Sequence, residues 1–524
     1  MLEISCYKKK YPLSYKLFSK VVPFLSLIFI FFVFISWYLS IYHPKSFWFY
    51  WLFSIIIIFY IWWLIRWFEY IFLLLSGFSR YKSYQRLNFK NIFMEKPKTK
   101  QEKLLVTKYS NVSIKENKIY HWVIIPTFQD PYSMLKDTFE SINDADFDNK
   151  KIIITLAGEE WDKENFLNIE KEFLRTYKDK FLFINTTLHP KWVEWELPWK
   201  GSNVTYAAKH TYQKILDLWI KPENILVSVM DSESIVQNTY FNALTLEYCL
   251  TDDYMKDKTI YQPMLFLFNR FFSSPFFAKV VALATTFYIL AASIKWIWTR
   301  AQAVQAQSLE SLIWTDFYSV ETITEDWHQY YRTYCTYNGK FQVHPVYTYV
   351  LLEPVIWKDI YESLILQYNQ IKRWAHWVLD LPYIILCLYK KWDKLPKLRT
   401  FYEIFRLLEV SVLWSSLQFI LFMGTIYFSM IWFVYAWLLQ IITFLWLIIL
   451  MVVTIITLFF LPWDKIWSNY KKYYEWWKYV IYSFTIMWPL LFILNWLPAL
   501  HAQLMILFWK PMWKFNVTKK YREE

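Results

Sequence analysis

Long uncharged runs at both ends of the chain, with most of the charge held between them, constrain this sequence more than any other feature. Val21 to Ile41 and Ser46 to Ile65 are each long enough to cross a bilayer as a helix, and only the turn around His43 and Pro44 separates them. They predict a helical hairpin. Lys8, Lys9, Lys10, Lys16 and Lys20 precede it, and Arg66, Arg80, Lys82 and Arg86 follow it. Basic residues favour the inner face of a membrane, so both flanks are expected in the cytoplasm. The first run has no small-residue cleavage site and leads directly into another span, which argues against a removed signal peptide.

From Val410 to Leu461 the chain carries no charge over more than twice the length of one span. Two helices joined near Trp432 to Trp437 are expected there, with Lys465, Lys471 and Lys472 inside again. Tyr479 to Leu497 reads as one more span or, through Pro489 and Pro498, as a re-entrant hairpin; the basic tail of Lys510, Lys514, Lys519, Lys520 and Arg522 leaves that parity open. The chain thus divides into a hairpin region (1–78), a soluble domain with surface helices (79–380), and an interfacial segment with further spans and the tail (381–524). The expected location is the inner (plasma) membrane, crossed several times, with the soluble domain cytoplasmic. A net charge of +13, from 57 basic and 44 acidic residues, follows from these basic flanks and gives no reason to expect a nucleic-acid partner.

Phe276 to Ile294 is also hydrophobic, but a crossing there would put the acidic motifs on its two sides in different compartments. It is expected inside the protein or on the membrane surface. Cys6, Cys249, Cys335 and Cys387 lie far apart with no CxxC spacing, and in a cytoplasmic setting they read as reduced, structural thiols.

Within the soluble part, short Ile- and Val-rich runs (His121 to Ile125, Lys151 to Leu156, Phe181 to Asn185, Ile225 to Met230) alternate with helix-patterned stretches such as Tyr132 to Ile142 and Glu164 to Tyr177. That order predicts an α/β domain, a mostly parallel sheet with helices on both faces, whose ligand site lies at the carboxyl ends of the strands. The chemistry-bearing residues fall there. Pro126-Thr127-Phe128-Gln129-Asp130 follows the first strand, where Asp130 could accept hydrogen bonds from a nucleotide or simply cap the next helix. Asp231-Ser232-Glu233 follows the fourth. Two carboxylates one residue apart can both reach a divalent cation, although a solvated acidic turn has the same letters. Further on, Thr324-Glu325-Asp326 offers a carboxylate able to take a proton from a hydroxyl, and Gln370-Ile371-Lys372-Arg373-Trp374 sets an amide, a cation and an indole on one helix. Trp stacks on sugar rings and Arg pairs with phosphate, while an Arg-Trp pair can also serve as an interfacial anchor.

Taken in order, Pro126 to Asp130, Lys200-Gly201-Ser202-Asn203, Asp231-Ser232-Glu233, Thr324-Glu325-Asp326 and Gln370 to Trp374 resemble the processive family 2 glycosyltransferases of the cellulose, chitin and hyaluronan synthase type. The resemblance covers Ile124 to Trp374, extends to the arrangement of spans, and includes the tail motif Phe515-Asn516-Val517-Thr518-Lys519. It implies a GT-A-like catalytic domain that transfers sugar, with inversion, from a nucleoside-diphosphate sugar (a UDP-sugar foremost) to a growing polysaccharide, and spans that could carry the product outward. By the same resemblance Asp231 and Glu233 would hold Mg2+ or Mn2+, and Asp326, beside Glu325, would be the general base. Pro126, Asp130, Glu159, Lys200, Asn203, Asp231, Gln370 and Arg373 would contact the donor, and Trp374 the acceptor sugar. Two positions depart from the pattern: Glu233 stands where Asp is usual, and Gly158-Glu159-Glu160 stands for an Asp pair. A single-addition enzyme acting on a lipid carrier, or a silent polysaccharide-binding component, would share much of this layout.

The letters carry one oddity: 32 Trp against 5 Gly in 524 residues, where Gly alone is about 7% of an ordinary protein. Trp199, Trp314 and Trp327 stand where a glycine would read naturally. Two explanations fit: a codon read as glycine in the source cell, or an aromatic-rich membrane protein, as 45 Phe and 41 Tyr would suggest.

Overall fold

The computed structural model describes residues 4, 10–43, 46–194, 196–198, 200–295, 299–431, 441 and 492–508. Expectations for Cys6, Lys8, Lys9, Trp199, the helix junction at 432–437, the basic patch at 465–472, most of the run 479–497, and the tail from residue 509 lie outside them.

Two long helices open the described chain, α1 (Pro12–Tyr42) and α2 (Phe47–Tyr84), packed as a hairpin. Both are long and apolar enough to cross a membrane by length and composition. Lys16 and Lys20 are already helical, and Arg66, Arg80 and Lys82 lie within α2 rather than after it. At about 1.5 Å per residue, the 38 residues of α2 reach well beyond a hydrocarbon layer of about 30 Å, so its second half is free to pack on the soluble domain. Gln85, just past its end, donates to the Tyr347 carbonyl at 2.9 Å.

The soluble domain is one eight-stranded sheet with helices: β1 (Tyr120–Pro126), α3 (Tyr132–Asn143), β2 (Ile152–Glu159), α4 (Lys163–Tyr177), β3 (Phe183–His189), α5 (Lys200–Leu216), β4 (Ile225–Val229), β5 (Ile235–Val236), β6 (Thr259–Phe266), α6 (Phe276–Ala292), β7 (Gln305–Ser308), α7 (Glu325–Thr336), β8 (Gln342–Leu351), α8 (Ile360–Trp374) and α9 (Asp380–Lys390). Strand order is β3-β2-β1-β4-β7-β6-β8-β5. β3, β2, β1 and β4 run parallel, as the alternating pattern predicts. Beyond β4 the sheet departs from the mostly parallel expectation. After α6 the chain re-enters from the other end, so β7 lies antiparallel to both β4 and β6; β5 is antiparallel to β8, while β6 and β8 are parallel. The domain is therefore a mixed α/β sheet. Its central strands are buried along their whole length, which is why β2 and β4 read as mainly apolar runs rather than alternating ones.

The hydrophobic run at 276–294 forms α6, a 17-residue helix packed on β6 and α2. Its contact with α2 is close because Gly77 has no side chain: a Cβ there would sit 2.1 Å from the Leu290 carbonyl oxygen. α10 (Lys397–Ile431) and α11 (Leu497–Leu507) return the chain to α1. Cys335 and Cys387 correct the expectation of reduced thiols. They are joined in a disulfide, Cα to Cα 6.3 Å, linking α7 to α9 across 52 residues, because both helices pack into one cluster that sequence distance conceals. Cys249 is a buried free thiol.

A buried ion pair fastens α10 to the sheet domain. Arg300 donates to Glu403 at 2.7 Å, Tyr330 donates to the same carboxylate at 2.8 Å, and the guanidinium lies 4.2 Å from the Tyr330 ring centroid. Removing one partner strands the other charge in a dry interior. Glu403→Gln is expected to lower stability by about 3–5 kcal/mol, read as a fall in the thermal unfolding midpoint of detergent-purified protein.

Candidate functional site

The cavity opens where the carboxyl ends of β1, β2 and β4 meet the start of α5, the start of α7 and the end of α8. It holds about 1010 Å3, and its walls include Pro126, Asp130, Glu159, Lys200, Asn203, Asp231, Glu233, Glu325, Asp326, Gln370, Arg373 and Trp374. Every residue singled out in the sequence for a role thus borders one space.

Lys200 is its electrostatic centre. The segment Lys200 to Asn203 is the first turn of α5. From it the ammonium reaches Asp231 Oδ1 at 2.5 Å and lies 3.8 Å from Glu325 Oε1. Burial works against its charge, but Asp231, Glu325 and Asp326 outweigh this and raise its pKa above the usual lysine value. The neighbouring residue allows the approach. A Cβ at Gly201 would fall 2.4 Å from the Ser319 carbonyl oxygen and 3.0 Å from Glu325 Cβ, so only glycine lets α5 press against the Thr324-Glu325-Asp326 segment.

Glu325 and Asp326 occupy the first turn of α7. Burial, then the Asp326 charge, pushes the Glu325 carboxyl up to about 7 despite Lys200. Asp326 is raised too, chiefly by burial, with Lys200 and the Trp327 N–H, which it accepts at 2.7 Å, pulling the other way. One proton is therefore held by this pair well above the ordinary carboxylate range. Arg373 approaches from α8. Burial lowers its pKa, while Glu325, Asp231, Asp326 and Glu233 all oppose that shift. Trp374 packs with Phe277, Ile371, Leu494 and Trp414 at the apolar end of the cavity. Gln370 accepts from Gln367 at 2.9 Å.

Asp130 does both things its sequence context allows: it lines the cavity and holds its own turn, accepting from Thr127 Oγ1 at 3.1 Å and the Phe128 N–H at 3.2 Å. Asn203 is buried in α5 and donates to the Ala157 carbonyl at 3.0 Å; its Oδ1 has no partner among the described residues. Glu159 ends β2, buried, with His189 Nδ1 at 2.9 Å. His189 and its second partner Glu196, at 3.1 Å, were not marked by the sequence reading. A polar residue closing a strand, His189 at the end of β3, was the available signal.

For a metal, the donors are hard oxygens, as Mg2+ or Mn2+ would require. Among the described residues, however, no cluster of three or more His, Cys, Asp or Glu side chains could hold an ion, and Asp231 already shares one oxygen with Lys200. Asp231 and Glu233 suit a cation only if phosphate or water oxygens complete its shell, which is how Mg2+ is commonly held.

No protein-family model and no curated protein matches this chain. Among solved structures it is similar to a mannosyltransferase, PcManGT from Pyrobaculum calidifontis in complex with GDP-Man and Mn2+, at 12% identity and TM-score 0.41, over 84% of this chain and 99% of that one. It is also similar to S. aureus TarS 1-349 (12% identity, TM-score 0.29, 50% of this chain and 66% of that chain) and to GalNAc-T7 with UDP, GalNAc and Mn2+ (9%, 0.28, 50% and 51%). These likenesses are too distant to assign a role to any residue here.

The contact at Gly201 leaves no room for a methyl group. Gly201→Ala is expected to cost about 1–3 kcal/mol by overpacking, read as a lower unfolding midpoint.

Proposed function

We propose that this chain is a membrane-associated, inverting glycosyltransferase that takes sugar from a nucleoside-diphosphate donor, with its catalytic domain on the cytoplasmic side. One observation carries the reading: Lys200, Asp231, Glu325, Asp326 and Arg373, drawn from α5, the end of β4, α7 and α8, converge on a single cavity. The motif resemblance and the basic flanks of the hairpin support it.

In this reading the acceptor hydroxyl attacks the anomeric carbon while Asp326 accepts its proton. The bond from that carbon to the diphosphate oxygen breaks, and its electron pair leaves with the nucleoside diphosphate. Lys200 and Arg373 meet the charge that develops on the departing phosphates, fixed in place before the reaction starts. A divalent cation held by Asp231 and Glu233 would screen that same charge. Glu325, held partly protonated beside Asp326, keeps the base from facing a second full negative charge at neutral pH. Attack from the face opposite the leaving group turns an α-linked donor into a β-linked product. Glu159 and Asp130 would meet the nucleotide end, and Trp374 the acceptor sugar. The acceptor is read as a growing polysaccharide, with a lipid-linked single addition as the alternative.

Because Asp326 must be deprotonated to accept a proton and its carboxyl is raised, turnover should fall on acidification at a higher pH than an ordinary aspartate would give. Asp326→Asn should reduce sugar transfer by about 10²–10⁴-fold in isolated membranes, measured as nucleoside diphosphate released from a panel of nucleotide sugars. Unchanged turnover would remove the assigned base. Product length with labelled donor separates polymerisation from single addition.

A further inference from the structure

We propose that His189 is a positioning residue for the donor: as an imidazolium it bridges Glu159 and Glu196 and holds Glu159 ionised at the nucleotide end of the cavity. This rests on the glycosyltransferase reading above. The argument begins with donors and acceptors. His189 Nδ1 lies 2.9 Å from Glu159 Oε2 and Nε2 lies 3.1 Å from Glu196 Oε2. An ionised carboxylate only accepts, so both ring nitrogens must donate, which a neutral imidazole cannot do. The groups facing the ring are Glu159 from β2, Glu196 from the segment before α5, and the Tyr206 ring from α5 at 5.3 Å.

The site is built rather than incidental: His189 is 3% exposed and Glu159 7%. Burial alone would push Glu159 towards its neutral form. A buried cation beside it opposes that tendency and the like push from Glu196, although burial still leaves the carboxyl above its ordinary value; an ionised carboxylate accepts a base ring N–H, which a protonated one does poorly. Glu196 stands four residues before Lys200. The same imidazole therefore ties the donor end of the cavity to the chain leading into the cation that faces the diphosphate.

His189→Gln keeps one donor and removes the charge. It is expected to raise KM for the nucleotide sugar about tenfold with kcat little changed, and to weaken binding of the free nucleoside diphosphate to match. Although burial opposes its charge, the two carboxylates raise His189 to about 9, so in the parent protein KM should climb as pH passes that value, and the variant should lose this limb. Stability contributed by the pair is complete below the ordinary histidine value of 6.5 and is lost as pH rises through about 9. If His189→Gln does not fold, Glu196→Gln should move the inflection to lower pH. An unchanged KM and pH profile in the folded variant, or an unmoved inflection in Glu196→Gln, overturns the proposal. A parent protein that neither binds nucleoside diphosphate nor turns over any nucleotide sugar overturns the underlying function instead.

A separate observation carries a second inference: we infer that several positions written as Trp, Trp219 first among them, are glycine in the protein the source cell makes. Trp219 lies just past α5, its N–H donating to the Leu216 carbonyl at 3.2 Å, with φ +57° and 93% of its surface exposed. A left-handed residue closing a helix is the place where glycine is strongly favoured, and a fully exposed indole gains nothing there. Trp192 and Trp314 are 79% and 63% exposed, and the whole chain has 5 Gly. At a genuine tryptophan, replacement by glycine lowers stability; here Trp219→Gly is expected to raise the unfolding midpoint. A lower midpoint, or a native tryptic peptide Ile215–Lys256 with the mass of a tryptophan residue at 219, overturns the inference.

Discussion

The cavity depends on one electrostatic constraint: three carboxylates from two separate places in the chain share a half-buried space with few cations. Asp231, Glu325 and Asp326 would repel one another if all were ionised without compensation, and in a partly dry site that repulsion is large. Lys200 answers it by direct contact, Arg373 by facing the same acids from α8, and the Glu325-Asp326 pair by retaining a proton. Each answer needs a different part of the fold. Lys200 must start a helix at the carboxyl ends of the strands, Arg373 must end one that leads towards α9, and Gly201 must be free of a side chain.

That dependence explains why the hairpin and the later helices are part of the cavity's architecture rather than an anchor attached to it. α8, which carries Arg373 and Trp374, packs on α11 and on α6, and α6 in turn packs on α2 at Gly77. Arg66 pairs with Glu69 at 3.0 Å and with Glu409 at 2.8 Å, joining α2 to α10, while Lys295, just beyond α6, also meets Glu69. Arg300 and Glu403 complete the same connection from the sheet side. The surface pairs among these contribute little individually, but the buried one is intolerant of losing a partner. The site's geometry is thus set jointly by the sheet and by the helices that follow and precede it.

What the sequence disclosed follows from which forces leave local traces. β1, β2 and β4 were legible because strands covered on both faces need continuous apolar residues, and the acids at their ends were legible as the next polar letters. β7 was not. Gln305-Ala306-Gln307-Ser308 is fully buried yet polar; the Gln307 amide accepts from Gln329 at 3.0 Å and donates to Ser311 at 3.2 Å, while Gln305 Oε1 has no partner among the described residues. Without β7 the antiparallel turn of the sheet could not be inferred. The Cys335–Cys387 bridge and the Glu159-His189-Glu196 chain escaped for the same reason: both are contacts between residues whose spacing along the chain carries no periodic signal.

The few glycines sharpen the point about local traces. A Cβ at Gly77, Gly158, Gly201 or Gly339 would lie 2.1 to 2.4 Å from a neighbouring atom, so each stands where only a missing side chain permits the packing. Gly339 also has a left-handed φ of +79°. The other recurrent use of glycine, to relieve a left-handed turn, falls among the described residues to Glu95, Gln129, Trp219, Arg270, Asp316, Phe317 and Asn338. Asn and Asp tolerate that conformation; a bulky aromatic does so at a cost of about 1–2 kcal/mol. Phe317 offsets that cost by burial, at 4% exposed, whereas Trp219 at 93% exposed offsets nothing, so a chain that keeps glycine at its tight contacts is most inconsistent as written at Trp219.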